Sequence, residues 1–284
     1  METGNNHSNL DIEYKSDKFN PKSTEKYHLS VEILNTSILY TLFCTEELKY
    51  IYFKRVSYNS QNTDELIKYL NKEYLLKKEY STSTISYSSD TLTLIPNEYY
   101  LDNQKEKVLG FIEDNTGDIK SEDIHQIDAK IIYSINKKLQ NIIKEIQPQI
   151  IEKHTTNILI DQLIRQYNTL EEKSAFLFVQ DSSIQIIVLN RDKLLFQNTF
   201  PIDSEIDILY YTLLSYEQLK LDPENTKLYL YGNTKKGDKI YSVLYDYIRY
   251  VNIGNLSNQL LFSNKLNKID DHKYFALFNQ ILCV

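Results

Sequence analysis

The sequence predicts an α/β protein built from two tandem lobes of one topology. Segments 27–58 and 175–200 each contain apolar runs separated by short polar turns, a pattern typical of a three-stranded antiparallel meander. After each of these two segments, the sequence shows the patterns of a helix and further strands. The two segments align without a gap at a displacement of 146 residues, so that Asn35 falls on Asp181 and Leu48 on Leu194. We therefore expect an internal repeat.

The first half continues with a helix that begins near Asp64. Its expected apolar face is formed by Leu66, Ile67, Leu70 and Tyr74. Further strands are predicted at 82–87, 91–95, 127–135 and 149–154, and helices at 98–113 and 155–167. Another helix is predicted before Pro148, with Leu139, Ile142, Ile143 and Ile146 at helical spacing.

Helix capping residues can be assigned at several of these boundaries. Asn136 is expected to cap the helix that follows it, and Thr155 or Thr156 the helix over 155–167. In the second half, Ser204 and Asp207 occupy the positions of a capping box. A strand at 227–232, a helix around Val243 and Leu244, and a strand at 250–254 then predict a parallel strand–helix–strand unit. A closing helix is predicted over 272–281.

Three regions are expected along the chain. Residues 1–26 are polar and are predicted to form a flexible tail. Lobe I is predicted over 27–170 and lobe II over 171–284, with the polar stretch 168–174 as their connection.

Composition excludes several classes of function. Lys and Arg number 32 against 39 Asp and Glu, a net charge of −7, which argues against nucleic acid as a partner. No apolar run reaches the roughly 20 residues of a membrane span, so no membrane insertion is expected. The only cysteines, Cys44 and Cys283, lie far apart in apolar surroundings, which favours reduced thiols and a cytoplasmic protein. No His or Cys residues stand at metal-ligand spacing, and neither a metal nor a cofactor is expected.

The order of elements resembles the actin-like ATPase superfamily, whose two lobes each have a ribonuclease-H-like core. The chain is similar to the bacterial actin-like proteins of pilus assembly and cell division. It is more similar to an uncharacterised Bacteroidetes family of about this length, with an actin-like ATPase fold and no assigned function. The resemblance covers residues 27–284 and rests on element order and turn placement.

The resemblance also implies where a nucleotide would bind. In that superfamily the first hairpin of each lobe carries Asp, then Gly two residues on, then small hydroxylated residues. The glycine lets backbone N–H groups approach phosphate, and the aspartate holds Mg²⁺ through water. In this chain Glu32 and Leu34 occupy these positions in the first hairpin, and Phe178 and Gln180 in the second. Of the Gly-rich strand end expected to pack on adenine, only Gly232 remains.

Three hypotheses follow for function. The first is a non-catalytic adaptor that acts through a protein partner not yet identified. The second is a nucleotide-responsive switch with a divergent pocket between the lobes. The third is an unrelated enzyme, for which no catalytic residue can be assigned. His154, where a strand enters a helix, is either a water-orienting residue of the superfamily type or a helix-cap or surface residue. The residues that could bind nucleotide under the second hypothesis are Glu32, Thr36, Ser37, Asp181, Ser182, Ser183 and Gly232.

Overall fold

The computed structural model describes residues 11–59, 63–89, 91–112, 117–170, 172–257 and 259–284. Its strands are β1 (Ile12–Lys15), β2 (Tyr27–Ile33), β3 (Ser37–Cys44), β4 (Lys49–Ser57), β5 (Thr82–Tyr87), β6 (Leu92–Pro96), β7 (Asp118–Ile124), β8 (Ala129–Ile135), β9 (Ile151–His154), β10 (Lys173–Val179), β11 (Ser183–Asn190), β12 (Lys193–Pro201), β13 (Lys227–Gly232), β14 (Val251–Ile253) and β15 (Leu261–Phe262). Its α-helices are α1 (Thr63–Lys72), α2 (Lys105–Leu109), α3 (Lys137–Ile146), α4 (Thr155–Tyr167), α5 (Glu205–Gln218), α6 (Lys239–Tyr245) and α7 (Phe275–Asn279).

Among the described residues, two of the three sheets share one strand order. The first sheet runs β1-β4-β3-β2-β5-β9, with β15 also paired to β4, and the second runs β12-β11-β10-β13-β14. In both, a three-stranded antiparallel meander is followed by two parallel strands. The predicted α/β architecture with two meanders is confirmed.

The meanders also match in detail. Strands β2 and β10 lie 146 residues apart along their whole length, as do β3 and β11, so that Ser37 and Ser183 begin equivalent strands. The ladder to the third strand shifts register at the same place in each, after Leu42 and after Val188. A shared irregularity of this kind supports the internal repeat, because bulges are specific structural features rather than defects.

The alignment without a gap is wrong for the third strands. Ser57 ends β4 and Pro201 ends β12 at equivalent register positions, which are 144 residues apart. The turn before β12 is two residues shorter than the turn before β4. Leu194 therefore matches Tyr50 and not Leu48.

A third sheet, of order β6-β8-β7, is inserted between β5 and α3. Its central strand β8 buries Ile131, Tyr133 and Ile135 on one face, as its alternation predicts. Ile132, on the opposite face, is buried as well, because α2 lies against β7 and β8. The helix predicted over 98–113 is reduced to short 3-10 turns and α2, and residue 113 lies outside the described residues.

Two of the predicted helix caps are confirmed. The Asn136 side chain accepts a hydrogen bond from the Leu139 N–H, and Ser204 and Asp207 form the predicted capping box.

The predicted apolar face of α1 is shorter than expected. Tyr74 is 55% exposed and lies beyond the end of α1, so it does not belong to the apolar face of that helix.

The last segment of the chain returns to the first sheet. Strand β15 pairs with β4, and α7 packs on β2 and β3, where the Phe278 ring lies 4.8 Å from that of Tyr50. Conversely, α4 reaches the second sheet, since Tyr167 packs on Phe176 at 4.8 Å. One core cluster therefore includes residues of both sheets, and α4 contacts α7 between them.

Two predicted regions need correction. Residues 12–15 of the supposed flexible tail form β1, which pairs antiparallel with β4, because an apolar–charged alternation suits the open edge of a sheet. Residues 1–10 of that tail lie outside the described residues. The stretch from Leu261 onward is predicted to belong to lobe II, but β15 pairs with β4 and α7 packs on β2 and β3 of the first sheet, whereas the turn before α7 lies against β13 of the second sheet.

Candidate functional site

The two hairpin turns that follow β2 and β10 face each other across a small cleft. Its lining comes from both turns, from β4, from the loop after β13 and from the start of α7. The cavity that these residues enclose is small, with a volume of about 60 Å³.

Glu32 lies at the position of the magnesium-holding acid in the first hairpin. Its side chain is buried, and its carboxylate accepts a hydrogen bond from the Leu277 N–H in the first turn of α7. Burial raises the pKa of Glu32 to about 7, and the bond from Leu277 opposes part of that rise. The carboxyl group is thus used to hold the start of a helix.

Leu34 lies at the position of the first phosphate-approach glycine. Its half-buried side chain lines the cleft. Its backbone is already engaged, since the Leu34 N–H donates to the Ser37 carbonyl and the Leu34 carbonyl accepts from the Tyr58 hydroxyl. Phosphate would therefore meet a branched side chain and a backbone N–H that is not free.

Phe178 lies at the acid position of the second hairpin. It is buried, and its ring stacks on Tyr231 at 4.8 Å and tilts against Phe275 at 6.0 Å. Gln180, at the second glycine position, donates from Nε2 to the Ser88 hydroxyl at 3.4 Å. An aromatic packing contact and a polar cross-link therefore occupy the two positions at which the superfamily resemblance implies an acid and a glycine.

Asp181 joins the two hairpins. The Thr36 hydroxyl donates to its Oδ2, the Asn233 amide donates to its Oδ1 at 2.7 Å, and the Arg55 guanidinium lies 3.6 Å from Oδ2. Glu32, Thr36, Asp181 and Gly232, named from the sequence, thus line one cleft. Thr36 and Asp181 bind each other there.

The remaining predicted site residues have local roles. Ser37 is buried, and its carbonyl accepts a bond within its own turn. Ser183 is buried and its hydroxyl lies 3.4 Å from the Gln180 amide oxygen, while the Ser182 side chain is exposed and lines the cleft. Gly232 has φ of +81°, and a Cβ there would lie 2.1 Å from the Val179 carbonyl oxygen, so the close approach of β13 to β10 requires glycine.

His154 caps α4, in place of the predicted Thr155 or Thr156. Its Nδ1 accepts from the Thr156 N–H at 3.1 Å. The ring is buried, which lowers its pKa to about 3 and keeps it neutral. The helix-cap interpretation is therefore the one this geometry supports, because a neutral ring accepting at Nδ1 is tied to the backbone.

Sequence reasoning did not assign several polar residues to the cleft. Among those that line it are Arg55, Asn233 and Lys273. Arg55 had a usable signal, since it is a cation within a predicted meander strand. In the structure its side chain is 13% exposed. Asn233 and Lys273 come from loops whose position depends on the whole fold.

In the part of the chain that the structure describes, no three His, Cys, Asp or Glu side chains come together as a metal site. No helix among the described residues is both long and apolar enough to cross a membrane.

Comparison with known proteins identifies the family and the fold. The chain belongs to the family described as protein of unknown function (DUF3822), whose model matches residues 16–251. No curated protein matches. A Bacteroides thetaiotaomicron protein with actin-like ATPase fold and unknown function superimposes with a TM-score of 0.77 at 20% identity, over 84% of this chain and 94% of that one. The PilM–PilN type IV pilus biogenesis complex superimposes with a TM-score of 0.58 at 10% identity, over 90% of this chain and 98% of that one. The fold is that of the actin-like ATPases, as the element order predicted.

Proposed function

We propose that this protein is a non-catalytic scaffold or adaptor of the actin-like fold, which acts in the cytoplasm through protein–protein contacts. The observation that carries the proposal is the direct contact between the two hairpins, where Asp181 accepts from Thr36 across the cleft. In an actin-like ATPase the phosphates of the nucleotide would separate these turns. Here the bond from Thr36 to Asp181 joins the two turns directly.

The neighbouring groups support the same proposal. Glu32 holds α7, Phe178 packs between aromatic rings, and Leu34 fills the phosphate side of the cleft. Each substitution also supplies a contact that stabilises the closed arrangement. A scaffold role fits a fold that also occurs in the PilM–PilN pilus biogenesis complex.

A nucleotide-responsive switch is the second candidate. It is favoured by the cluster of polar groups around Asp181, with cations Arg55 and Lys273 in the same cleft. If the Thr36–Asp181 bond opened, these groups could meet an anionic ligand. This candidate differs from the first in requiring nucleotide to bind.

Nucleotide is expected to leave the melting temperature unchanged. A ligand that binds only the folded state adds RT ln(1 + [L]/Kd), or about 2.7 kcal/mol at a hundredfold excess over Kd, which is several degrees for a protein of this size. Because the cleft is closed and lacks the phosphate-approach glycines, we expect no shift with millimolar MgATP, MgADP or MgGTP. Phosphate release should equal that of a protein-free control.

Two variants make this measurement decisive. Asp181→Ala removes the contact between the hairpins, and Asp192→Ala removes an exposed acid from the next turn as a matched control. A reproducible upward shift with nucleotide that Asp181→Ala abolishes and Asp192→Ala retains would establish the switch instead of the adaptor.

Partner capture separates the two candidates in a second way. The tagged full chain, incubated in lysate of its own host, should retain the same protein partner before and after nucleotide is removed with apyrase. Dependence of that capture on added MgATP would contradict the adaptor proposal.

A further inference from the structure

The outer edges of the two sheets are treated differently. In the first sheet, β4 is covered along its outer edge by β15 at residues 49–50 and by β1 at residues 52–55. The equivalent strand of the second sheet, β12, is the end of its sheet and pairs only with β11 among the described residues. The repeat thus shows a covered edge and an open edge at the same position.

Hydrogen bonds fix which backbone groups point outward from β4. The Tyr58 N–H donates to the Thr36 carbonyl, toward β3. Since orientation alternates along an antiparallel strand, Ser57, Arg55 and Phe53 direct their N–H and C=O groups away from β3. The Ser57 N–H indeed donates to the Asp11 carboxylate on the outer side, at 3.1 Å.

The same alternation applies to β12. The Ile202 N–H donates to the Ser182 carbonyl, toward β11. Gln197 and Thr199 therefore direct their backbone groups outward, at the positions that Phe53 and Arg55 hold in β4. Pro201 corresponds to Ser57 and has no N–H to offer.

The composition of β12 leaves this edge open to pairing. The strand is nine residues long, reads KLLFQNTFP, and has no charge between Lys193 and its end. Leu195 is 39% exposed on it. Proteins commonly protect such edges with charged residues or a covering segment, and here the described chain provides neither along the middle of the strand.

We infer that β12 pairs antiparallel with β12 of a second copy of this chain, which joins the two five-stranded sheets across a twofold axis. Centred on Gln197, the pairing sets Gln197 opposite the partner's Gln197 and Leu195 opposite the partner's Thr199. Lys193 then lies opposite the partner's Pro201, so no two like charges face each other in the ladder. Because the strand is its own complement about Gln197, a second copy pairs the outward backbone groups of Gln197, Leu195 and Thr199 reciprocally and without like-charge repulsion.

The dimer is expected to be weak and reversible. A single strand pair makes an interface at the small end of specific contacts, for which a micromolar Kd is reasonable. Sedimentation or light scattering of the purified full chain across roughly 5 to 200 µM brackets that range. The apparent mass should rise from the 33.6 kDa of one chain toward twice that value. A mass that stays at one chain throughout overturns the inference.

A pair of variants tests the edge itself. Gln197→Lys with Thr199→Lys sets ammonium groups against each other across the axis and is expected to remain monomeric over the whole range. Gln197→Thr with Thr199→Gln exchanges the same side chains without adding charge and should dimerise as the natural chain does. Circular dichroism establishes that both are folded. A dimer that persists in the lysine variant contradicts the inference.

Hydrogen exchange gives a test that needs no variant. The outward amides of Gln197 and Thr199 should exchange more slowly at high protein concentration than at low concentration. Amides of β14, at the opposite edge of the same sheet, should be unaffected. Concentration-dependent protection at β14 and not at β12 would show that the copies meet at the other edge.

Discussion

Ile131→Ala is expected to lower the free energy of unfolding by about 2–5 kcal/mol. Ile131 lies at the centre of β8, has no exposed surface, and pairs with Leu94 on one side and Glu122 on the other. It belongs to the core cluster that also contains residues of the two large sheets. Removing its side-chain carbons leaves a cavity that surrounding strands cannot easily fill, which adds to the lost burial. Chemical denaturation measures the change.

Two controls make the Ile131 result specific. Ile131→Val removes one carbon and should cost about 0.5–1.5 kcal/mol. Ile206→Ala changes a side chain that is 72% exposed and should stay within about 0.5 kcal/mol of the natural chain. A loss below about 1 kcal/mol for Ile131→Ala would mean that the inserted sheet contributes little to the core.

Local patterns were sufficient to predict the two meanders. Apolar runs between short polar turns define β2 to β4 and β10 to β12, and the alternation of Ile131, Tyr133 and Ile135 defines β8. Such signals depend on neighbouring residues, which is why they can be read without the fold. The repeat of the first two strands could be predicted for the same reason. The alignment of the third strands could not, because the turn before β12 is two residues shorter than the turn before β4.

Elements that depend on distant partners could not be predicted. Strand β1 has only four residues, of which Glu13 and Lys15 are charged, and it is a strand because β4 offers an edge. The return of β15 and α7 to the first sheet likewise depends on contacts between the two ends of the chain. No local pattern in the sequence distinguishes this return from packing within lobe II.

The same limit applies to the cleft. The positions of Leu34, Phe178 and Gln180 in their hairpins follow from the sequence and predict that phosphate binding is impaired. The bond from Thr36 to Asp181 does not follow, because it depends on how the two sheets are placed relative to each other. Glu32 keeps the charge of its position, but only the structure places the start of α7 against it.

Glu32→Gln is expected to stabilise the protein at pH 8 and to change little at pH 4.5. The pKa of Glu32 rises from its ordinary value of 4.5 to about 7 in the folded state, chiefly through burial. The folded state therefore binds the proton more tightly than the unfolded state. The resulting penalty begins as pH rises above 4.5 and is complete above pH 7, where it amounts to about 3 kcal/mol. Glutamine carries no charge, and its carbonyl oxygen can still accept the bond from Leu277.

The difference in free energy of unfolding between the natural chain and Glu32→Gln isolates the ionisation of Glu32. Glu122, whose pKa burial also raises to about 7, and His154, whose pKa burial lowers to about 3, titrate in both proteins and cancel. Denaturation of the pair at pH 4.5, 6 and 8 should give a stability difference that grows with pH. Glu79→Gln, at an exposed position, should show no comparable trend. A difference independent of pH would mean that Glu32 is ionised throughout and that the start of α7 compensates its charge.

Addition of Mg²⁺ tests whether Glu32 binds this ion. If Glu32 held Mg²⁺, the ion would raise the free energy of unfolding of the natural chain at pH 8. The Glu32→Gln variant would show no such increase. Because the Glu32 carboxylate is buried against Leu277, we expect millimolar Mg²⁺ to leave the unfolding free energy of both proteins unchanged. Stabilisation of the natural chain alone would return Glu32 to the role of the magnesium-holding acid. Absence of that gain, with a pH-dependent benefit of glutamine, is the behaviour of a carboxyl group that serves the fold.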